Sequence, residues 1–250
     1  MKISHTYTLL DEGDFSSTTT WSEAREDVLN SVRNVYWPPG NDEFLVYPEE
    51  NGNGVNPITE QFEANLDNRP DWESTGRKWL SGLLEERGIL DEALEKMGQY
   101  YDDPLDFISS PWFDAMKEVE IDGEPGLIVA EWETGNISSS HRSLNRIVLG
   151  LVSGIIHGGL IVLPNRDLYY YLTDRIGNYR ELEPYFVIWE SLAHEVENGI
   201  VEVVVVEHDG ISDSAPPIGK LTDGMSDREM AEIGELETNS GDEQAGLEEY

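Results

Sequence analysis

A near-continuous valine run, Val201-Glu202-Val203-Val204-Val205-Val206, constrains the fold more than any other stretch. Strand side chains point alternately to two faces, so a strand with one solvated face alternates apolar and polar residues. A run that stays apolar has both faces covered, as in the middle of a layered sheet. Leu160 to Leu163, stopped by Pro164, is a second buried strand, and Leu127-Ile128-Val129-Ala130 is a third apolar run. Segments of helical spacing lie around these runs. Trp21 to Val35 carries Ala24, Val28, Val32 and Val35 on one stripe. Ser139 to Ile155 carries Leu144, Ile147, Val148, Leu151 and Ile155, with Ser138, Ser139 or Ser140 available as its N-cap. Strands alternating with helices predict an α/β fold, a central mixed β-sheet flanked by helices.

The remaining segments read more coarsely. Pro38 to Pro57 is a Pro/Gly/Asn-rich loop with one short strand, Phe44 to Tyr47. Trp79 to Tyr100 predicts one or two helices broken near Gly88, Leu168 to Leu172 a short helix, and Pro184 to Glu195 another. A single domain is expected over residues 1–228. An acidic, aromatic-poor tail over 229–250 is expected to be disordered. No apolar run is long enough to cross a bilayer. Met1 to His5 lacks a signal peptide's apolar stretch, and the absence of cysteine rules out disulfides and thiolate metal sites, so a cytoplasmic protein without membrane partners is expected.

The third apolar run ends in Glu131-Trp132-Glu133. Strand alternation puts both glutamates on one face. Two carboxylates side by side repel unless a cation lies between them, and oxygen ligands suit a hard divalent ion such as Mg²⁺. The competing reading is a solvated strand face. A third acid weighs against it. The strand-like stretch Lys117 to Ile121 and the turn Asp122-Gly123-Glu124-Pro125-Gly126 predict a hairpin over Met116 to Glu133. Such a hairpin folds Asp114 back toward Glu131 and Glu133. Asp122 is the rival for third place, but a turn position lies far along the hairpin from Glu131. The five histidines show no metal-ligand spacing, and His141 reads as packing or a phosphate contact.

The stretch Glu131-Trp132-Glu133-Thr134-Gly135-Asn136-Ile137-Ser138-Ser139 resembles the BamHI-type family of type II restriction endonucleases, a Glu-x-Glu variant of the PD-(D/E)XK nuclease superfamily. The likeness continues through His141-Arg142-Ser143, Leu149-Gly150-Leu151, Tyr170 to Arg175, Glu181 to Phe186 and Asp223 to Ser226, and runs from about Trp21 to about Arg228. It implies a restriction-endonuclease-like fold and a type II site-specific deoxyribonuclease that hydrolyses double-stranded DNA with Mg²⁺-activated water, within the palindrome GGATCC. Asp114, Glu131 and the Trp132 carbonyl would hold Mg²⁺, and Glu133 would orient or deprotonate the attacking water. Asp102 matches a fourth acid, one methylene shorter than the family's Glu; a helix-ending turn before Pro104 is the alternative. The positions matching base-reading residues are Asn136, Ser138, Arg142, Asp174, Arg175, Asp223 and Gly224. Taken alone, Asp174-Arg175 reads rather as a local salt bridge and Ser138 as a helix cap. A palindrome implies a homodimer, with the helices at Ser139 to Ile155 and near Glu190 as its interface by family analogy. A restriction enzyme also implies a paired DNA methyltransferase.

Charge pulls the other way. With 51 acidic against 16 basic residues, the net charge of −35 opposes phosphate binding. Acids dominate nearly everywhere, which favours a halophilic surface adapted to concentrated salt. An acidic DNA mimic that binds another nuclease, or an inactive relative, is the alternative function.

Overall fold

The computed structural model describes residues 1–74, 80–86, 88, 90–99, 113–121, 123–173 and 176–220. Residues Met1–Ile218 form one compact unit. The tail over 229–250 lies outside the described residues.

The strands are β1 (Lys2–Glu12), β2 (Leu45–Val46), β3 (Trp72–Ser74), β4 (Ala115–Ile121), β5 (Glu124–Trp132), β6 (Ile156–Pro164), β7 (Gly199–Glu207) and β8 (Gly210–Ile211). Six form one mixed sheet in the order β1-β7-β6-β5-β4-β3. The centre, β5-β6-β7, is parallel, and the flanking pairs β1/β7, β4/β5 and β3/β4 are antiparallel. The valine run is thus an interior strand, as its composition requires. β1 has no such signature: it is an edge strand with mostly exposed or half-exposed side chains, so its sequence looks polar and reveals no strand.

The described helices are α1 (Thr19–Arg33), α2 (Asn56–Asp67), α3 (Leu80–Glu86), α4 (Leu90–Met97), α5 (Ile137–Val152), α6 (Arg166–Tyr171), α7 (Tyr179–Leu182) and α8 (Phe186–Glu190). No helix among the described residues is long and apolar enough to cross a membrane. Three expectations change. The helix expected over Pro184 to Glu195 is only α8, with 3-10 turns at Glu183–Tyr185 and Ala193–Glu195. α2 starts where a loop was expected to end, with Ile58, Phe62 and Leu66 buried at helical spacing. The cap of α5 is Asn136 rather than a serine: its backbone is extended and its side chain accepts from the Ser139 N–H.

Alternation sorts the core into two layers. Ile128, Ala130, Trp132, Leu160, Val162, Ile200, Val204 and Val206 face α1 and α2. Leu127, Val129, Ile161, Leu163, Val201, Val203 and Val205 face α5 and α8. Glu202 interrupts the valine run on the α1 side. Its carboxylate is held by Arg25 of α1, Nε to Oε2 at 2.5 Å, and Arg25 also donates to Thr6 Oγ1. Glu202 is 8% exposed and Arg25 30%. Arg25→Met should therefore strand a buried carboxylate and lower stability by about 2 kcal/mol, less than for a fully buried pair because the guanidinium is partly solvated. Adding Glu202→Val should restore most of the loss in a denaturation experiment. Additive losses would show that the pair is not coupled.

Candidate active site

The site forms where β4 begins and β5 ends. In the antiparallel pair, Ala115 sits opposite Ala130, and Ile121 opposite Glu124. β5 therefore begins at Glu124, inside the stretch expected to be turn. Asp122 lies outside the described residues. The same register brings Asp114 beside Glu131. The Asp114 N–H donates to Glu131 Oε2 at 3.0 Å, and the Trp132 N–H donates to Asp114 Oδ2 at 2.6 Å.

β5 ends at Trp132, yet alternation carries one residue further. Trp132 turns toward α2, its ring 5.2 Å from that of Phe62. Glu131 and Glu133 turn the other way, toward α5. There Ser143 Oγ lies 3.1 Å from Glu131 Oε1 and 2.9 Å from Glu133 Oε2. One hydroxyl carries one proton and can donate to only one of them at a time. Glu133, 4% exposed, also accepts from the Gly135 N–H at 2.6 Å. A side chain at Gly135 would meet Glu133 Oε1 at 2.7 Å and Ser139 Cβ at 2.6 Å, so this close backbone approach needs glycine.

Electrostatics follow from that crowding. Burial pushes the Asp114 carboxyl up to about 7; the Trp132 N–H holds it back in part, and the charges of Glu63 and Glu133 add to the rise. Burial also raises Glu131 well above the carboxylate range, with Asp114 and Glu133 pushing it further. Glu133 is raised by burial against the opposing effects of Ser143, Gly135 and the nearby Arg142. Among the described residues, every hydrogen bond the three carboxylates accept comes from a backbone N–H or the Ser143 hydroxyl, all neutral. Such an oxygen-only, mutually repelling donor set fits a hard divalent cation, whose charge would remove the repulsion. The acids are not spread as a finished cage: among the described residues, no group of three His, Asp or Glu is already set to hold a metal.

The exposed residues Asn136, Ser138 and Arg142 line the first turns of α5 next to the acids. Capping uses Asn136 Oδ1, and Arg142 Nη2 donates to Ser139 Oγ at 3.1 Å. The Gly177 N–H donates to Gly135 O at 2.8 Å, tethering the segment after residues 174–175 to the entry of α5. His141 packs against Tyr185 and Trp189. Asp102, Asp174, Arg175, Asp223 and Gly224 lie outside the described residues. Ser143 and Gly135 are site residues that sequence reasoning did not single out. A signal existed: Ser140 and Ser143 are buried polar residues on the same face of α5 as Leu144 and Ile147.

Comparison with known proteins agrees with this arrangement. The family model for restriction endonuclease BamHI matches residues 1–225. The chain is 35% identical to the type II restriction enzyme OkrAI of Oceanobacter kriegii over 202 residues, 81% of this chain and 88% of that protein. It is 32% identical to the type II restriction enzyme BamHI of Bacillus amyloliquefaciens over 215 residues, 83% of this chain and 84% of that protein. With its mixed sheet, flanking helices and buried carboxylates at a strand end, this chain belongs to the BamHI family of type II restriction endonucleases, enzymes of site-specific DNA cleavage.

Proposed function

We propose that the protein hydrolyses phosphodiester bonds of double-stranded DNA within GGATCC, using Mg²⁺ held by Asp114, Glu131 and the Trp132 carbonyl. The observation that carries this reading is the convergence of Asp114, Glu131 and Glu133 with, among the described residues, only neutral hydrogen-bond donors to them. A bound Mg²⁺ would supply charge neutralisation of the phosphate and acidification of water. Glu133 supplies the base: it is buried, burial raises its carboxyl above the ordinary value, and Ser143 and Gly135 fix its orientation. Asp102 is the candidate fourth acid.

Base reading is assigned to Asn136, Ser138 and Arg142 at the start of α5, and to Asp174, Arg175, Asp223 and Gly224. Arg can donate two hydrogen bonds to guanine and Asp can accept from the cytosine amino group. Arg175→Ala should cost roughly 1–3 kcal/mol of discrimination at one G·C pair. Cleavage of singly substituted sites measures it, and an unchanged preference would remove Arg175 from the reading set.

A palindromic target calls for a homodimer, with α5 and α8 as its interface. Val187 and Ile188 on α8 are 65% and 57% exposed, and an apolar groove of Val148, Leu149, Val152, Trp189 and Leu192 lies beside them. Apolar contact suits a chain whose copies repel by charge, and concentrated salt screens that repulsion. A DNA methyltransferase protecting the same sequence, and a cytoplasmic setting, complete the proposal.

Plasmid DNA carrying GGATCC, incubated in high salt with and without Mg²⁺, tests it. Discrete fragments ending in a 5′-phosphate and a 3′-hydroxyl are expected only with the cation. The net charge of −35 favours one other reading, a catalytically inactive acidic DNA mimic. Inhibition of an added nuclease without any cutting would establish that instead.

A further inference from the structure

We propose that Glu63, on α2, is a further carboxylate of the cation site and positions the hydrated cation from the side of Asp114. This rests on the reading of Asp114 and Glu131 as cation ligands. Alternation along β5 points only to residues on the α5 face, and Glu63 comes from the opposite layer.

Two anchors place α2 against the flanks of Asp114. At one, the Phe62 ring packs edge-on against Trp132 at 5.2 Å, and the Trp132 N–H is bonded to Asp114. At the other, Asp67 accepts from the Ser74 N–H at 2.8 Å and the Ser74 hydroxyl at 3.1 Å. Ser74 pairs with Ala115, the residue after Asp114. Glu63 follows Phe62 directly and lies one turn from Asp67, on the same edge of the helix. It is partly buried, and no hydrogen bond or ion pair satisfies its carboxylate among the described residues. Thr59 lies one turn earlier on that edge, and its hydroxyl is shielded from solvent without a hydrogen-bond partner. An unpaired carboxylate one turn from an unsatisfied hydroxyl leaves hydrogen-bonding capacity that a polar ligand can take up. A hydrated cation supplies both charge and hydrogen-bond donors, and Mg²⁺ characteristically keeps several of its waters. The field of Glu63 already reaches Asp114, raising its carboxyl, and Glu63 is itself raised by burial and then by Asp67 and Glu60.

Calorimetric titration of the full chain with Mg²⁺, at fixed salt and without DNA, tests this. Glu63→Gln keeps the shape and should weaken Mg²⁺ binding by about 10-fold or more. Glu63→Asp keeps the charge, shortens the reach and should lie between. Glu60→Gln removes the same charge from the exposed side of α2 and should bind like the unaltered protein. Melting in the absence of cation confirms that each variant is folded. Unchanged binding in Glu63→Gln, or an equal loss in Glu60→Gln, overturns the inference. So does a loss found in Asp102→Asn but not in Glu63→Gln. Glu131→Gln separates the two readings: if it too binds Mg²⁺ normally, the cation site itself is misplaced.

Discussion

Glu133→Gln is expected to lower the cleavage rate roughly 100- to 10,000-fold, the usual contribution of a positioned general base, while DNA binding stays within a factor of a few. The substitution keeps the shape and the hydrogen-bonding geometry. An amide oxygen can still accept from Gly135 and Ser143, which hold the present carboxylate at 2.6 and 2.9 Å. What it loses is basicity and charge. DNA binding should not suffer, because Asn136, Ser138 and Arg142, the described residues assigned to base reading, are exposed at the start of α5, and removing an acid beside a phosphate lowers repulsion. Single-turnover cleavage with a parallel gel shift measures both quantities. If Glu133→Gln cut DNA at the normal rate, the base would have to lie elsewhere. Loss of binding together with cleavage would mark Glu133 as a structural residue.

The second large effect couples pH to the cation. Asp114 rises from its ordinary value of 3.8 to about 7 on folding. Its folded pKa therefore exceeds its unfolded one, and the folded protein retains a proton that the unfolded chain has released. Stability linked to this group is greatest below about pH 4 and declines as pH rises toward about 7. At about 1.4 kcal/mol per pKa unit, and allowing for partial exposure, the cation-free protein should lose on the order of 2–3 kcal/mol across that window. Glu131 shifts in the same direction and deepens the loss. General repulsion in so acidic a chain acts likewise, so Asp114→Asn is the control: it should flatten part of the slope. A divalent cation should reverse the effect at high pH by replacing the missing protons. At 100 times its dissociation constant it adds about 2.7 kcal/mol, or about 5–10 °C in melting temperature for a chain this size. Near pH 5 the same cation should do little, because it must compete with protons. Equal shifts at both pH values would contradict the site.

Much of the site was legible because it follows from short-range rules. Period-2 alternation places Glu131 and Glu133 on one face, and a Gly/Pro-containing turn folds Asp114 back to them. The valine run required an interior strand, and β7 is one. Less was legible where burial is uneven. β1 carries no apolar pattern because an edge strand leaves most of its side chains in water. α8 is shorter than the helix expected over Pro184 to Glu195, and only its Phe186 and Trp189 pack inward. Asn136 took the capping role expected of a serine, since the chain leaves β5 extended through residue 136 and only then turns helical.

The amino-acid sequence alone determined the buried strands, their alternation and the acids a hairpin could bring together, because each depends on residues close along the chain. Tertiary structure decided the surroundings of those acids. It set Ser143 between two of them, gave them only neutral hydrogen-bond donors among the described residues, and laid α2 across the opposite layer with Glu63 close enough to act electrostatically on Asp114. Those relations join residues far apart in sequence through packing of separate layers, and no local period encodes the distance between two layers.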